Sequence, residues 1–81
     1  MGYMIALIGI MVQTPDAVEK VNEALHDHRD FVRGRMGLPL GDKGLNVISV
    51  VLDCDAGRIN GLCGKLGSIE GVRAKALYGN G

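Results

Sequence analysis

Aromatic side chains are scarce in this chain. Tyr3, Phe31 and Tyr78 are the only ones and tryptophan is absent, too few for a surface on which nucleic-acid bases stack. An excess of charge of either sign is lacking too. Nine Lys and Arg balance nine Asp and Glu, so no overall field draws the chain to nucleic acid or to an anionic membrane. Cys54 and Cys63 are the only cysteines and form no C-x-x-C pair. Two thiols without a secretion signal fit a reducing, cytoplasmic compartment. Met1–Val12 is apolar but lacks the basic start and small-residue exit of a signal peptide. It is also too short to cross a bilayer, which takes about 20 residues. No Ser–His–Asp, paired-carboxylate or Cys–His arrangement stands out, so the expectation is a protein that is not an enzyme and carries no cofactor.

What the chain does have is two long apolar runs. Leu45–Asp53 is rich in β-branched residues and free of Gly and Pro, which reads as a central strand. One face would carry Ile48, Val50 and Leu52; the other carries Leu45, Val47 and Val51, interrupted only by Ser49. Tyr3–Val12 repeats the pattern, with Met4, Ala6, Ile8, Ile10 and Val12 opposite Tyr3, Ile5, Leu7, Gly9 and Met11. A strand wet on one side would alternate apolar with polar. Neither of these does, so both faces of both strands expect cover.

Between them, Thr14-Pro15-Asp16 opens a helix: Thr14 suits the cap, Pro15 the first helical position, and Asp16 the positive end of the dipole. Val18, Val21, Leu25 and His28 follow at helical spacing. Asp30 ends the pattern, and Phe31–Gly37 reads as a strand with Arg33 and Arg35 on one face. Those two charges offer a contact for an anion or a carboxylate, with edge charges that discourage aggregation as the plainer reading. Pro39 is tolerable only on an edge, and Gly41-Asp42-Lys43-Gly44 is a turn. Asp55 (or Asp53) caps a second helix with Ile59, Leu62, Cys63 and Leu66 at i, i+3, i+4 and i+7. Gly67 suits a left-handed helix end, with Ile69 folding back. Gly71–Tyr78 is the last strand, and Gly79-Asn80-Gly81 a frayed tail.

The element order is βαββαβ in one domain over residues 1–81. Val21, Ala24, Leu25 and Phe31 stand opposite Ile59, Leu62, Cys63 and Ile69 at one constant offset, as in an internal duplication. Right-handed crossovers place both helices on the same side of a four-stranded antiparallel sheet. This is a ferredoxin-like α+β fold. Its helices cover one sheet face and leave the other apolar face bare. An uncovered apolar face of several hundred Å² is uncommon on a monomer. A homodimer or homotetramer, joined through the sheet face or edge strands, is therefore expected.

Few residues invite chemistry. His26 and His28, at i and i+2, face apart on a helix and cannot chelate one ion together unless the helix has already ended; the structural reading places His28 on the apolar stripe and His26 near the last carbonyls. Gly61-Leu62-Cys63-Gly64-Lys65 fails as a phosphate loop, because Ile59 and Leu66 stand where its first Gly and its Ser or Thr belong. Gly61 and Gly64 instead predict close packing on the sheet or a partner. Cys63, on the core stripe, reads as inert, and Cys54, at a strand end, as the more exposed thiol.

Asn22-x-x-Leu25-His26, Arg35-x-Gly37-x-Pro39, Gly64-Lys65-Leu66-Gly67 and Gly71-Val72 together resemble the small iron-only hydrogenase system regulators. The resemblance spans nearly the whole chain. It implies likeness in fold to ACT domains and to the C-terminal domain of nickel-responsive repressors: ferredoxin-like, oligomeric and regulatory. It implies an ACT-like module that binds a small-molecule effector near Gln13, Thr14 and Asp16 and the Arg35-Met36-Gly37 stretch, with His26 and Lys65 alongside. Two departures qualify it. ACT domains place Gly after the helix-opening Pro, where Asp16 stands here. The nickel repressors' H-x-H and Cys are missing from Phe31–Gly37 and Leu45–Asp53, so no metal ligands are carried over. A metal-responsive module using His26 with His28 or Cys54, and a purely structural oligomerisation subunit, are the alternatives. A nucleic-acid role ranks last.

Overall fold

The computed structural model describes residues 2–79; Met1 and the Asn80-Gly81 part of the expected tail lie outside them. Strand β1 spans Met4–Val12, helix α1 Pro15–Asp27, strand β2 Val32–Leu40, strand β3 Leu45–Cys54, helix α2 Ala56–Gly67 and strand β4 Val72–Tyr78. The sheet order is β2-β3-β1-β4 and every pairing is antiparallel. The two apolar runs are thus the central strands, and the Pro39-bearing strand lies on an edge, as the sequence requires. The fold is the ferredoxin-like βαββαβ arrangement.

Local chemistry sets the helix starts. The Thr14 hydroxyl accepts the Ala17 N–H at 3.3 Å, with Pro15 in the first turn. A carboxylate oxygen of Asp55 accepts the Arg58 N–H at 3.0 Å. Each cap satisfies an amide that the first turn leaves unpaired.

Ala6, Ile8, Ile10 and Val12 of β1 and Ile48, Val50, Leu52 and Cys54 of β3 meet Val21, Ala24, Leu25, Ile59, Leu62 and Leu66 of the helices in a single core. Ile8, Val50, Leu52 and Ile59 are completely buried. The duplicated positions Val21, Ala24 and Leu25 and their counterparts Ile59 and Leu62 all lie in this core.

Three expectations are corrected and a fourth is narrowed. Phe31 belongs to a 3-10 turn, Arg29–Phe31, and the strand begins at Val32 and continues through Pro39 to Leu40. An edge strand has an unpaired side, so the missing Pro39 N–H costs no ladder bond there. Gly67 is helical; Ser68 ends α2 in a right-handed conformation, its hydroxyl donating to the Lys65 carbonyl at 2.7 Å. The left-handed residue is Gly71, at φ +85°, where the Val72 N–H returns to the Ile69 carbonyl at 3.0 Å. The cysteines exchange places: Cys54 pairs with Met4 on the helix side and is buried, whereas Cys63 is half-exposed. Burial, with Asp55 and Asp53 nearby, pushes the Cys54 thiol up, which makes it a weak nucleophile. Finally, a Cβ built on Gly61 or Gly64 meets nothing within 4 Å, so packing within the chain does not account for these glycines.

Candidate functional site

Arg33 and Arg35 do not share a face. Val32 pairs with Leu52 and Gly34 with Val51, so Arg33 is a surplus residue in a β-bulge. Such a bulge shifts the alternation by one. Arg33 turns to Asp53, forming a 2.9 Å ion pair. Arg35, opposite Val50, lies on the helix side and donates to the Asn22 side-chain carbonyl of α1.

The result is a groove of about 450 Å³ between α1 and β2, lined by Asn22, Leu25, His26, Arg29, Val32 and Arg35. Buried Leu25 and half-buried Val32 make an apolar floor, and the four polar residues form the exposed walls. Arg29, just beyond the helix, donates to the His26 carbonyl at 3.0 Å, countering the negative end of the helix dipole. His28 is held apart, its Nδ1 3.1 Å from the Ala24 carbonyl. Of the candidate ligand residues, the groove brings together His26 and Arg35. The sequence pattern misses Arg29, because the residue falls after the helical spacing ends and only the 3-10 turn brings it back.

The remaining expected ligand residues are dispersed. Gln13 and Thr14 border a separate groove of about 250 Å³, facing Pro39 and Leu40 at the far end of β2. Asp16 is exposed in the first turn of α1 and lines neither groove. Met36 pairs with Ser49 on the open side of the sheet, and Gly37 with Ile48. Lys65 reaches Asp27 across the helix pair at 3.8 Å. His26 is exposed at the end of α1 while Cys54 is buried at the end of β3. No cluster of three or more His, Cys, Asp or Glu able to hold a metal occurs among the described residues.

The second feature is the open sheet face. Cα partners in an antiparallel pair point to the same side. The register therefore gathers Ile5, Leu7 and Met11 of β1, Met36 and Leu38 of β2, Val47 and Val51 of β3, and Leu77 of β4 on the side away from the helices. Ile5, Leu7, Met11, Met36, Leu38 and Leu77 are between 40% and 69% exposed. Arg73 and Lys75 of β4 form a basic margin beside Met11 and Gly9. No helix among the described residues is long and apolar enough to cross a membrane.

The comparisons with known proteins agree with this architecture. The model of the TM1266-like iron-only hydrogenase system regulator family matches residues 4–76. The structure of the uncharacterized protein TM1266 from Thermotoga maritima is similar at 34% identity and a TM-score of 0.90, covering 94% of this chain and 96% of that one. The C-terminal domain of the MgtC protein from Mycobacterium tuberculosis shares the fold, with a TM-score of 0.77 at 17% identity and coverage of 96% and 89%. No curated protein matches the chain. With nearly its whole length matched, this chain belongs to the TM1266-like iron-only hydrogenase system regulator family.

Proposed function

We propose that the chain is a non-catalytic, cytoplasmic regulatory module that assembles with copies of itself through the open sheet face and responds to a small ligand in the α1–β2 groove. The observation that carries this reading is the bare apolar face. The exposures of Ile5, Leu7, Met11, Met36, Leu38 and Leu77 add up to about three fully exposed large apolar side chains per copy. At ~1.5–3 kcal/mol for fully burying each, covering both copies is worth on the order of 9–18 kcal/mol gross, of the same size as the ~4–15 kcal/mol lost in association. A contiguous exposed apolar patch of this kind marks an interaction surface. Membership of a regulator family supports the non-catalytic part of the reading.

The test is the mass in solution. Light scattering at micromolar concentration is expected to give a multiple of 8.6 kDa, with the multiple separating dimer from tetramer. The double variant Leu7→Glu/Leu38→Glu places carboxylates on the face without touching the core and is expected to fall to the single-copy mass. A wild-type chain found only at 8.6 kDa would remove the proposal.

A further inference from the structure

We infer that the α1–β2 groove is an oxyanion site: Arg35, Arg29, His26 and Asn22 together take a small carboxylate or phosphate group. This deepens the regulatory reading and rests on it for the groove's role, but the chemistry comes from the groove itself. Two guanidinium groups and an imidazole stand around one cleft, and neither Arg29 nor Arg35 has a carboxylate within 4.0 Å among the described residues. The three ion pairs present there use other cations: Arg33, Arg58 and Lys65.

Arg35 is also positioned. Its hydrogen bond to the Asn22 carbonyl tethers one end of the guanidinium while leaving most of its five N–H donors open. Asn22, engaged through its carbonyl, retains its amide N–H₂ as a further donor. A planar fork of this kind matches the two oxygens of a carboxylate or phosphate. Leu25 and Val32 form the apolar base of the groove beneath those exposed donors.

The opposing charges are weaker or turned away. The end of α1 contributes about half a negative charge, already met by Arg29 at the His26 carbonyl. Asp27 faces α2 through Lys65. Glu19 and Glu23 on α1 and Asp30 in the 3-10 turn beside Arg29 are absent from the groove lining and pair with neither arginine. Asp53, on β3, is held by Arg33 on the opposite side of the sheet. Two full positive charges therefore outweigh the residual negative potential at the cleft.

The experiment titrates the full-length chain with sodium phosphate and, separately, with sodium succinate, against sodium chloride at equal ionic strength. Backbone amide and arginine side-chain N–H signals are followed by heteronuclear NMR. Saturable shifts confined to Asn22, His26, Arg29 and Arg35 are expected with at least one of the two probes. Phosphate alone would assign a phosphoryl group, and succinate alone a carboxylate. Arg35→Gln is expected to weaken binding about tenfold or more, the loss of one charge-assisted pair, and Arg35→Lys by less. Arg73→Gln, on the opposite sheet face, should leave binding unchanged. Shifts that chloride reproduces, or an Arg35→Gln chain that binds like the wild type, would overturn the inference. Light scattering on the same samples reads assembly separately: a monomer with an intact response fails only the sheet-face proposal, and an oligomer with no response fails only this one.

Discussion

Replacing both Gly61 and Gly64 of α2 by alanine should stabilise the protein. Each glycine sits inside a 12-residue helix, is exposed, and leaves open space where a Cβ would go. Neither adopts a positive φ, so alanine meets no backbone strain. Glycine in a helix interior costs about 0.8–1.0 kcal/mol relative to alanine, mainly through the freedom of the unfolded chain. The pair should therefore gain about 1.5–2 kcal/mol. At ~4–8 °C per kcal/mol for a domain of this size, that raises Tm by roughly 6–16 °C. Urea unfolding followed by circular dichroism, at one fixed protein concentration, should show a higher midpoint with an unchanged slope. Gly57→Ala is the internal comparison. Its Cβ would lie 3.3 Å from an Asp55 carboxylate oxygen, so its gain should be smaller. A double variant less stable than wild type, or one that changes the mass in solution, would refute the reasoning. Such a result would mean that the glycine face of α2 is pressed against a partner, as the sequence had allowed.

The two left-handed glycines should respond unequally. Gly44→Ala, at φ +63° in open space, should cost about 1 kcal/mol of backbone strain. Gly71→Ala, at φ +85° with the Thr14 side chain 3.1 Å from the new Cβ, should cost more, and equal losses in denaturation would contradict this. Asp55 supplies a pH dependence. Its carboxyl is held below the usual range, chiefly by the Arg58 backbone N–H, so the native state binds fewer protons there than the unfolded chain. Its contribution is then complete above the ordinary carboxylate value of 3.8 and is lost as pH falls through the lowered one. Acid unfolding of Asp55→Asn should show a shallower slope in that window, and an unchanged slope would count against the cap. Ile8→Ala, at a completely buried position in the central strand, should cost about 2–5 kcal/mol, measurable by the same urea unfolding.

Legibility in the sequence followed how local the determining physics is. The caps at Thr14 and Asp55 depend on residues within one turn, and both stand where the sequence puts them. The central strands were readable because an apolar residue on either face needs no knowledge of its neighbours. Gly67 misled because a glycine at a helix end is a statistical signal, while here the Ser68 hydroxyl and the later Gly71 turn the chain. The cysteines misled because Cys54 extends β3 by one residue, and parity then carries it inward. The groove was half visible. Asn22, His26 and Arg35 lie in stretches that the sequence marks out, but their convergence depends on a bulge that no local pattern announces.

That bulge makes position 33 a point of tolerance to changes in chain length. In most strands, dropping one residue inverts the facing of everything beyond it. Excising Arg33 would instead restore plain alternation, with Val32 still inward against the helices and Arg35 still under Asn22, at the loss of one exposed ion pair. Straightening the strand without shortening it would force a choice between sealing the core with Val32 and keeping the Arg35 fork in place. The spare residue lets one edge do both.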